Sequence, residues 1–423
     1  MNTITINGGN PLFGQIDVSG SKNAVLPILA ACILTDQAVT IHNAPLISDI
    51  DDMLCIMNDL GISSERQGHT LTVDSSNINN YVISNEHVGR IRSSVVLLGA
   101  VIARFRKAKL AHPGGCDIGA RPIDMHLDAF ARLGINISYE DDCWCCTADE
   151  LVGAHIPLPF PSVGATENVI LAAAMAKGTT TIHNAAREPE ITALQDMINL
   201  MGGQVHGAGT DTVTIVGKEH YHGCEYTVIP DRIVAGTYML ATCATGGDVV
   251  INNAVRSHNT ALFDRMEQMG ADITYPNADT VRIRRTARLK PISLTQTRPF
   301  PGFPTDLQPQ LMATLALANG KSVIRENIYE SRFKAAFSLC DMGAHISIKV
   351  PDSQDSYAVI RGVSRLCGTH IYGTDLRCNA ALVIAGLAAE GTTVLHKAQF
   401  IDRGYEDITA AFRQLGADIT RST

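Results

Sequence analysis

One glycine-rich loop carries the cysteine and the arginine of this chain that are best placed to do chemistry. It reads His112-Pro113-Gly114-Gly115-Cys116-Asp117-Ile118-Gly119-Ala120-Arg121-Pro122. Its glycines and prolines disfavour helix and strand and favour an exposed turn, whereas an unpaired cysteine is usually buried. We expect a helix to begin at Pro122, so that its amides and Arg121 would favour the thiolate of Cys116. Because Asp117 would oppose that effect, Cys116 is either a reactive thiol or an incidental cysteine in a surface turn.

Two cationic residues and a histidine are the next candidates for substrate binding. Lys22 precedes the first strongly apolar segment, and Arg92 holds the corresponding place before the second. Free backbone amides at a helix start and a nearby cationic group converge on an anion. Lys22 and Arg92 are therefore candidate anion ligands, and the alternative for Lys22 is a solvated side chain. His126, in the helix expected after the loop, either helps to bind substrate or belongs to the packing.

A carboxylate, Asp306, opens a later apolar segment after Pro301-Gly302-Phe303-Pro304-Thr305. It is either an N-cap or first-turn residue of a helix or a base that takes a proton from a substrate hydroxyl. Three arginines, Arg332, Arg377 and Arg403, follow in the sequence. Each either binds an anionic group of a substrate or forms an ordinary surface ion pair.

The overall composition disfavours several classes of function. The 423 residues are 45% hydrophobic, with a formal net charge of −8 at pH 7, which argues against nucleic acid or an anionic membrane as the main partner. The sequence contains neither Gly-x-x-x-x-Gly-Lys-Ser/Thr nor Gly-x-Gly-x-x-Gly after a strand, so nucleotide-triphosphate hydrolysis and dinucleotide chemistry are also disfavoured. An anionic substrate must therefore be held by a local group of Arg and Lys.

The beginning of the chain and its cysteines indicate the compartment. Residues 1–8 alternate like a strand and lack a basic start and an apolar core, so we expect no signal peptide. Apolar runs such as 94–103 and 380–389 are too short to span a bilayer. Eleven cysteines are scattered along the chain, which does not suggest a disulfide framework. We expect a cytoplasmic protein with reduced thiols.

The run Cys143-Trp144-Cys145-Cys146 invites comparison with a metal site. It lies in an alternating, strand-like segment, and no second Cys or His pair stands nearby at the usual ligand spacing. We therefore predict a strand and no metal here, with metal binding as the alternative.

Internal repeats are the strongest indication of architecture. A Leu-Gly or Met-Gly pair ends an amphipathic segment six times, at intervals of 68 to 73 residues, with the glycines at Gly61, Gly134, Gly202, Gly270, Gly343 and Gly416. A glycine there fits the left-handed residue that follows a helix, and a β-branched strand begins directly after it. The sequence therefore predicts six α/β repeats.

Each repeat also contains a helix that is apolar almost all round, which is typical of a buried helix. These helices are predicted at 23–34, 92–103, 166–176, 233–245, 306–318 and 376–389. Because one repeat cannot bury its own faces, the repeats should form two groups of three around shared cores. We predict a first domain at 22–229 and a second formed by 1–21 with 230–423, with the substrate in a cleft between them.

Several blocks of this sequence resemble those of the enolpyruvyl transferases, in the same order and over essentially the full chain. The blocks are Ser21-Lys22-Asn23-Ala24, the loop from Pro113 to Pro122, Ser162-Val163-Gly164-Ala165-Thr166-Glu167-Asn168, Asn184-Ala185-Ala186-Arg187-Glu188-Pro189-Glu190, Gly302-Phe303-Pro304-Thr305-Asp306-Leu307-Gln308 and Ile401-Asp402-Arg403-Gly404-Tyr405. The resemblance implies a two-domain inside-out α/β barrel built from six repeated units. One departure is modest: Tyr329 and Ser331 replace the Phe and Asn common in the family.

The resemblance also assigns roles to individual residues. Cys116 matches the loop cysteine that donates a proton or aids product release and reacts with fosfomycin, and Asp306 matches the base, with Lys22 and Arg403 completing the catalytic set. The implied ligands of phosphoenolpyruvate are Lys22, Asn23, Arg92, Arg121, Arg332, Arg377 and Arg403. The implied ligands of UDP-N-acetylglucosamine are Asn23, Arg92, Arg121, Pro122, Ile123, Asp124, Met125, Ser162, Val163, Gly164, Asp306 and Ile328.

The implied reaction transfers the enolpyruvyl group of phosphoenolpyruvate to the 3′-hydroxyl of UDP-N-acetylglucosamine, the first committed step of peptidoglycan synthesis. It needs a base, an acid and fixed cations, but neither a metal nor an organic cofactor. Two alternatives are a transferase acting on shikimate 3-phosphate, whose pattern lacks the Pro-Gly-Gly-Cys loop, and a non-catalytic paralogue that binds UDP-sugar. Retention of Lys22, Cys116, Asp306 and Arg403 argues against the second.

Fosfomycin tests the role of Cys116 directly. After incubation of the purified protein, peptide mass spectrometry should find the added mass on Cys116, because a thiolate beside Arg121 and a helix start attacks an epoxide. An unmodified Cys116 peptide after the same incubation would reject the reactive thiol.

Overall fold

The computed structural model describes residues 2–83, 86–114, 118–119, 122–350 and 356–422. Cys116 and Arg121 lie outside these ranges. The helices of the described residues are α1 Lys22–Ala31, α2 Ser48–Asp59, α3 Leu97–Phe105, α4 Asp124–Arg132, α5 Val163–Ala173, α6 Pro189–Leu200, α7 Arg232–Thr245, α8 Thr260–Met269, α9 Gln308–Leu315, α10 Ala335–Asp341, α11 Leu376–Ala388 and α12 Ile408–Gln414. Short 3-10 helices span Cys32–Leu34, Arg92–Val96, Arg256–His258, Thr305–Leu307, Arg332–Lys334 and Ala398–Arg403.

The strands of the described residues form six four-stranded sheets. The strands are β1 Thr3–Asn7, β2 Leu12–Asp17, β3 Val39–His42, β4 Ser63–Gln67, β5 Thr70–Asp74, β6 Val82–Ile83, β7 Lys107–Ala111, β8 Asn136–Glu140, β9 Cys143–Thr147, β10 His155–Pro157, β11 Thr179–His183, β12 Gln204–His206, β13 Thr212–Val216, β14 Glu225–Thr227, β15 Gly247–Asn252, β16 Asp272–Asn277, β17 Thr280–Arg285, β18 Thr295–Gln296, β19 Lys321–Glu326, β20 His345–Lys349, β21 Ser356–Arg361, β22 His370–Tyr372, β23 Thr392–His396 and β24 Asp418–Ser422. The sheet orders are β14-β3-β5-β4, β6-β7-β9-β8, β10-β11-β13-β12, β16-β17-β15-β2, β18-β19-β21-β20 and β22-β23-β1-β24.

All six sheets share one construction, which confirms the six predicted α/β repeats. In the third repeat, β10 is followed by the buried helix α5, then by β11 parallel to β10, the outer helix α6, and the antiparallel strands β12 and β13. Three repeats are completed by strands distant in sequence: β14 joins β3, β2 joins β15, and β1 lies between β23 and β24.

The glycines predicted to follow the outer helices all adopt the left-handed conformation. Their φ angles are +93° at Gly61, +86° at Gly134 and Gly202, +88° at Gly270, +92° at Gly343 and +89° at Gly416. A side chain beyond Cα strains this conformation, so glycine reverses the chain after each helix at the lowest cost.

The predicted apolar helices are confirmed as core elements, with shifted ends. Helices α1, α3 and α5 belong to one hydrophobic core and α7, α9 and α11 to another. The helix expected at Pro122 begins instead at Asp124, because the backbone of Ile123 is outside the helical region and its carbonyl accepts the first α-helical bond, from the N–H of Leu127.

The described residues separate into two compact units. Among the described residues, the first unit contains those within 20–114 and 122–229. The second unit contains those within 2–19, 118–119 and 230–422. The sequence predicts two domains, 22–229 and 1–21 with 230–423. That each of them folds independently stays a prediction. In the described part of the chain, no helix is both long and apolar enough to cross a membrane.

Two glycine substitutions separate backbone strain from steric clash. Gly343 has a φ of +92° with open space around an added Cβ, so Gly343→Ala should lower the free energy of unfolding by about 1 kcal/mol through strain alone. Gly362 lies where a Cβ would meet the Ala318 carbonyl oxygen at 1.7 Å, so Gly362→Ala should cost more because backbone must move. Urea unfolding of both variants measures the difference, and equal losses would contradict it.

Candidate active site

In the second unit, a carboxylate lies between two buried arginines. Asp306 is on the 3-10 turn before α9, Arg332 begins the turn before α10, and Arg377 lies in the first turn of α11. A terminal nitrogen of Arg332 donates to Oδ1 of Asp306, and one of Arg377 donates to Oδ2, each at 2.7 Å. The arginine side chains are 3% and 6% exposed, whereas that of Asp306 is 28% exposed. One carboxylate thus joins the starts of three helical segments.

The surroundings of Arg377 favour its charged form. Burial by itself lowers the pKa of Arg377. Attraction by Asp306, and then by Tyr405 and Asp231, nevertheless raises this pKa above its ordinary value. Asp306 caps neither the 3-10 turn nor α9, so it is not an N-cap. It does lie in the first turn of the 3-10 helix Thr305–Leu307, as the other part of that interpretation expected. The local sequence is compatible with a cap, but the two guanidinium groups bind the carboxylate oxygens more strongly than a backbone amide would.

A second carboxylate, Glu326, organises the segments around Asp306. It is 1% exposed, and its Oε1 accepts hydrogen bonds from the Thr297 hydroxyl at 2.8 Å and the Ile328 amide at 2.9 Å. Its Oε2 accepts from the hydroxyl of Thr305 at 3.1 Å. Burial raises the pKa of Glu326, although its hydrogen-bond donors oppose the shift. Glu326 therefore fixes both Thr305, beside Asp306, and the backbone of the predicted ligand Ile328.

Arg403 is half-buried at the end of the 3-10 helix Ala398–Arg403. Its neighbour Asp402 forms a two-bond ion pair with Arg421, at 2.5 and 2.6 Å. Tyr405, two residues further on, is buried and shares a 2.7 Å hydrogen bond with the hydroxyl of Thr237. The backbone around Arg403 is thus fixed on both sides.

In the first unit, Lys22 is an ion-paired residue. Its ammonium group lies 2.5 Å from Oδ2 of Asp49, and the two side chains are 12% and 3% exposed. Ser21 caps α1 by accepting from the amide of Ala24. The alternative of a solvated lysine is therefore wrong, because Asp49 on α2 holds the ammonium group at the start of α1.

The other predicted ligands of the first unit also stand at helix starts. Arg92 is the first residue of a 3-10 helix and donates to the Pro113 carbonyl at 3.4 Å. Ser162 caps α5, which begins with Val163 and Gly164. The predicted ligands Pro122 to Met125 lead into α4, where Asp124 is exposed and Met125 half-buried, and Asn23 lies half-buried in the first turn of α1.

His126 is buried and bonded within this unit. Its Nδ1 lies 2.8 Å from the side-chain nitrogen of Asn168. Burial, and secondarily the charge of Arg92, lowers the pKa of His126 to about 4. The imidazole is therefore neutral near pH 7.

The run Cys143–Cys146 forms β9, as predicted, paired with β7 and β8. All described cysteines are free thiols, and burial raises the pKa of Cys146 to about 12. Within the described ranges no three His, Cys, Asp or Glu side chains are grouped to hold a metal ion.

The structure brings some predicted residues together and adds others that the sequence did not reveal. Asp306, Arg332 and Arg377 are in direct contact, while Lys22 contacts the unpredicted Asp49. The alternating burial of β19, with Glu326 in the inward register of Ile324, could have revealed a buried carboxylate. The pairing of Lys22 with Asp49 has no comparable local signal.

Comparisons with known proteins agree on one family. The family model described as EPSP synthase (3-phosphoshikimate 1-carboxyvinyltransferase) matches residues 6–412. UDP-N-acetylglucosamine 1-carboxyvinyltransferase 2 of Caldanaerobacter subterraneus subsp. tengcongensis is 44% identical over 421 residues, covering 100% of both chains. UDP-N-acetylglucosamine 1-carboxyvinyltransferase of Clostridium botulinum is 43% identical over 423 residues, again covering 100% of both.

Solved structures share the fold. The enolpyruvyl transferase NikO from Streptomyces tendae has a TM-score of 0.87 at 29% identity, covering 100% of this chain and 99% of that chain. An EPSP synthase from Acinetobacter baumannii has a TM-score of 0.76 at 20% identity, covering 100% of both chains. The second likeness concerns the fold alone.

Replacing Asp306 by Asn tests the buried ion pairs. Asp306→Asn leaves two buried guanidinium groups facing a neutral amide, so the free energy of unfolding should fall by about 2 kcal/mol in urea titrations. Asp248→Asn is the matched control, because Asp248 also receives two hydrogen bonds from an arginine, but that arginine, Arg282, is 50% exposed whereas Arg332 and Arg377 are buried. Equal losses in the two variants would show that burial adds nothing.

Proposed function

The chain belongs to the EPSP synthase family of carboxyvinyltransferases, and we propose that it transfers the enolpyruvyl group of phosphoenolpyruvate to the 3′-hydroxyl of UDP-N-acetylglucosamine. The full-length relatives at 43 to 44% identity, both named for this reaction, carry the proposal. The arrangement of Asp306, Arg332 and Arg377 suits it, because the reaction combines an anionic substrate with removal of a hydroxyl proton.

The cations would hold the two anionic groups of phosphoenolpyruvate. Its phosphate and carboxylate need several fixed donors, and guanidinium groups bind such groups through paired hydrogen bonds. We assign Lys22, Arg92, Arg332, Arg377 and Arg403 to this role. Arg121 and Asn23 join them on the basis of the family resemblance.

Asp306 would act as the base on the 3′-hydroxyl. Two guanidinium groups bonded to it weaken a carboxylate as a base, because they stabilise its ionised form. The anionic substrate competes for the same arginines. When the substrate binds, the arginines would bond to it instead and would stabilise the ionised carboxylate of Asp306 less. Asp306 would then be a better proton acceptor for the hydroxyl.

The proposed reaction proceeds by addition and elimination. The hydroxyl oxygen attacks C2 of phosphoenolpyruvate while Asp306 removes its proton and Cys116 delivers a proton to C3, giving a tetrahedral intermediate. Loss of a C3 proton and departure of phosphate then restore the double bond. One C–O bond forms at C2 and the C–O bond to phosphate breaks, with no change in total oxidation state, while the proton transfers take place among fixed charges.

The sugar nucleotide would be bound mainly by helix starts. Ser162 to Gly164 begin α5 and Pro122 to Met125 lead into α4, where backbone amides suit a diphosphate. Ile328, held by Glu326, and Asp306 complete the set. We propose that residues 22–229 and residues 1–21 with 230–423 act as domains that both contribute to binding.

A cellular role follows from the proposed reaction. Its product is the first dedicated precursor of peptidoglycan, so we place the protein in cell wall synthesis in the cytoplasm, with consequences for cell shape and division. A transferase acting on shikimate 3-phosphate lacks specific support, because the EPSP synthase structure is similar in fold alone. A non-catalytic protein that binds UDP-sugar would not need a base such as Asp306 held by two arginines.

Phosphate release tests the reaction. Purified protein given phosphoenolpyruvate and UDP-N-acetylglucosamine should release inorganic phosphate, whereas shikimate 3-phosphate in place of the sugar nucleotide should not support release. Asp306→Ala should abolish turnover while Asp248→Ala, which removes a surface ion pair, should retain it. The absence of phosphate with saturating substrates would overturn the assignment.

A further inference from the structure

One buried amide joins three segments of the first unit. Asn168 lies on α5 and is fully buried. Its Oδ1 accepts from the amide of Gly99 at 2.7 Å, and its Nδ2 donates to the carbonyl of Val95 at 3.0 Å. The same nitrogen lies 2.8 Å from Nδ1 of His126. All polar atoms of the Asn168 side chain are therefore engaged.

Each of the joined segments carries residues proposed to bind substrate. Val95 lies on the 3-10 helix Arg92–Val96, which begins at Arg92, and His126 follows Asp124 and Met125 on α4. Asn168 itself is on the helix that begins with the predicted ligands 163–164. One side chain thus sets the relative positions of three binding segments.

The partners fix the orientation of the amide. The N–H of Gly99 can only donate and the carbonyl of Val95 can only accept, so the oxygen of Asn168 must face Gly99 and its nitrogen must face Val95. The remaining hydrogen on that nitrogen points to Nδ1 of His126. An imidazole nitrogen that accepts a hydrogen bond carries no proton, so the proton of neutral His126 is on Nε2.

The far edge of the imidazole lies against the start of α5. A Cβ built on Gly164 would lie 3.1 Å from Cε1 and 3.4 Å from Nε2 of His126. Among the described residues Nε2 has no hydrogen-bond partner. His126 as a residue is buried, and its N–H is a donor beside a segment proposed to bind the sugar nucleotide.

We propose that Asn168 is a positioning residue that holds His126 in the Nε2–H tautomer and directs this N–H to the sugar nucleotide at Gly164. The inference rests on the proposed function for the identity of the ligand. It assigns His126, which the sequence left between binding and packing, to binding through a neutral donor.

The tautomer gives a direct test. In protein labelled with ¹⁵N-histidine, the ring-nitrogen shifts of His126, assigned by comparison with His126→Gln, should report protonation at Nε2. Asn168→Asp has nearly the same shape but offers Nδ1 an acceptor, so His126 should move its proton to Nδ1. The KM for UDP-N-acetylglucosamine should then rise about tenfold, with a smaller change in the KM for phosphoenolpyruvate.

A matched control and a second variant guard against general loss of structure. Asn199 in the same unit also uses both amide atoms, bonding the backbone of Val205, so Asn199→Asp should leave the His126 tautomer and both KM values unchanged. If Asn168→Asp does not fold, His126→Gln takes its place, because it removes the imidazole while leaving Asn168 and the proposed ligands 163–164 in the sequence.

The possible results separate the two claims. An Nδ1–H tautomer in the wild-type protein would overturn the role of Asn168. So would an unchanged KM for UDP-N-acetylglucosamine in Asn168→Asp or in the variant that replaces it. Wild-type protein that releases no phosphate would instead refute the proposed function, and the tautomer measurement would still decide how Asn168 holds His126.

Discussion

A helix buried on every side must satisfy its polar first turn inside the protein, and each unit contains three such helices. The first amides of a helix have no partner within it, and charged side chains near them are far from water. The consequences are visible at α1, where Ser21 caps the helix and Asp49 pairs with Lys22, and at α11, where Arg377 binds Asp306. Groups needed to stabilise buried helix starts are also those suited to binding an anionic substrate.

The same requirement relates the two units. In the second unit a carboxylate, Asp306, joins the starts of three helical segments through ion pairs. In the first unit an uncharged amide, that of Asn168, joins three segments through hydrogen bonds. One arrangement can exchange its arginines with an incoming anion, whereas the other has fixed, neutral geometry. The repeats thus share a backbone plan while differing in the chemistry at its centre.

Much of this architecture could be predicted because its causes are local. A left-handed turn after a helix requires glycine, so Gly61 and its five counterparts revealed the repeats, and a helix without a polar face can only be buried. The start of α4 was misplaced since proline tolerates positions before a helix as well as its first turn. Long-range pairs such as Lys22 with Asp49 depend on the packing of α1 against α2, which no local pattern encodes. Asp306 shows the same limit, because its sequence context suits both a cap and an ion pair.

The paired position of β1 has a consequence for the order in which the protein is made. Thr3 lies opposite Ser422 in the last sheet, and β2 pairs with β15 of the fourth repeat. Within the described ranges, the strands of the first unit have all been synthesised once residue 227 has been made. The edge strand β2 needs only β15, whereas β1 remains without its two neighbours until β23 and β24 have been made. β1, near the start of the sequence, is therefore among the last strands to reach its native pairing.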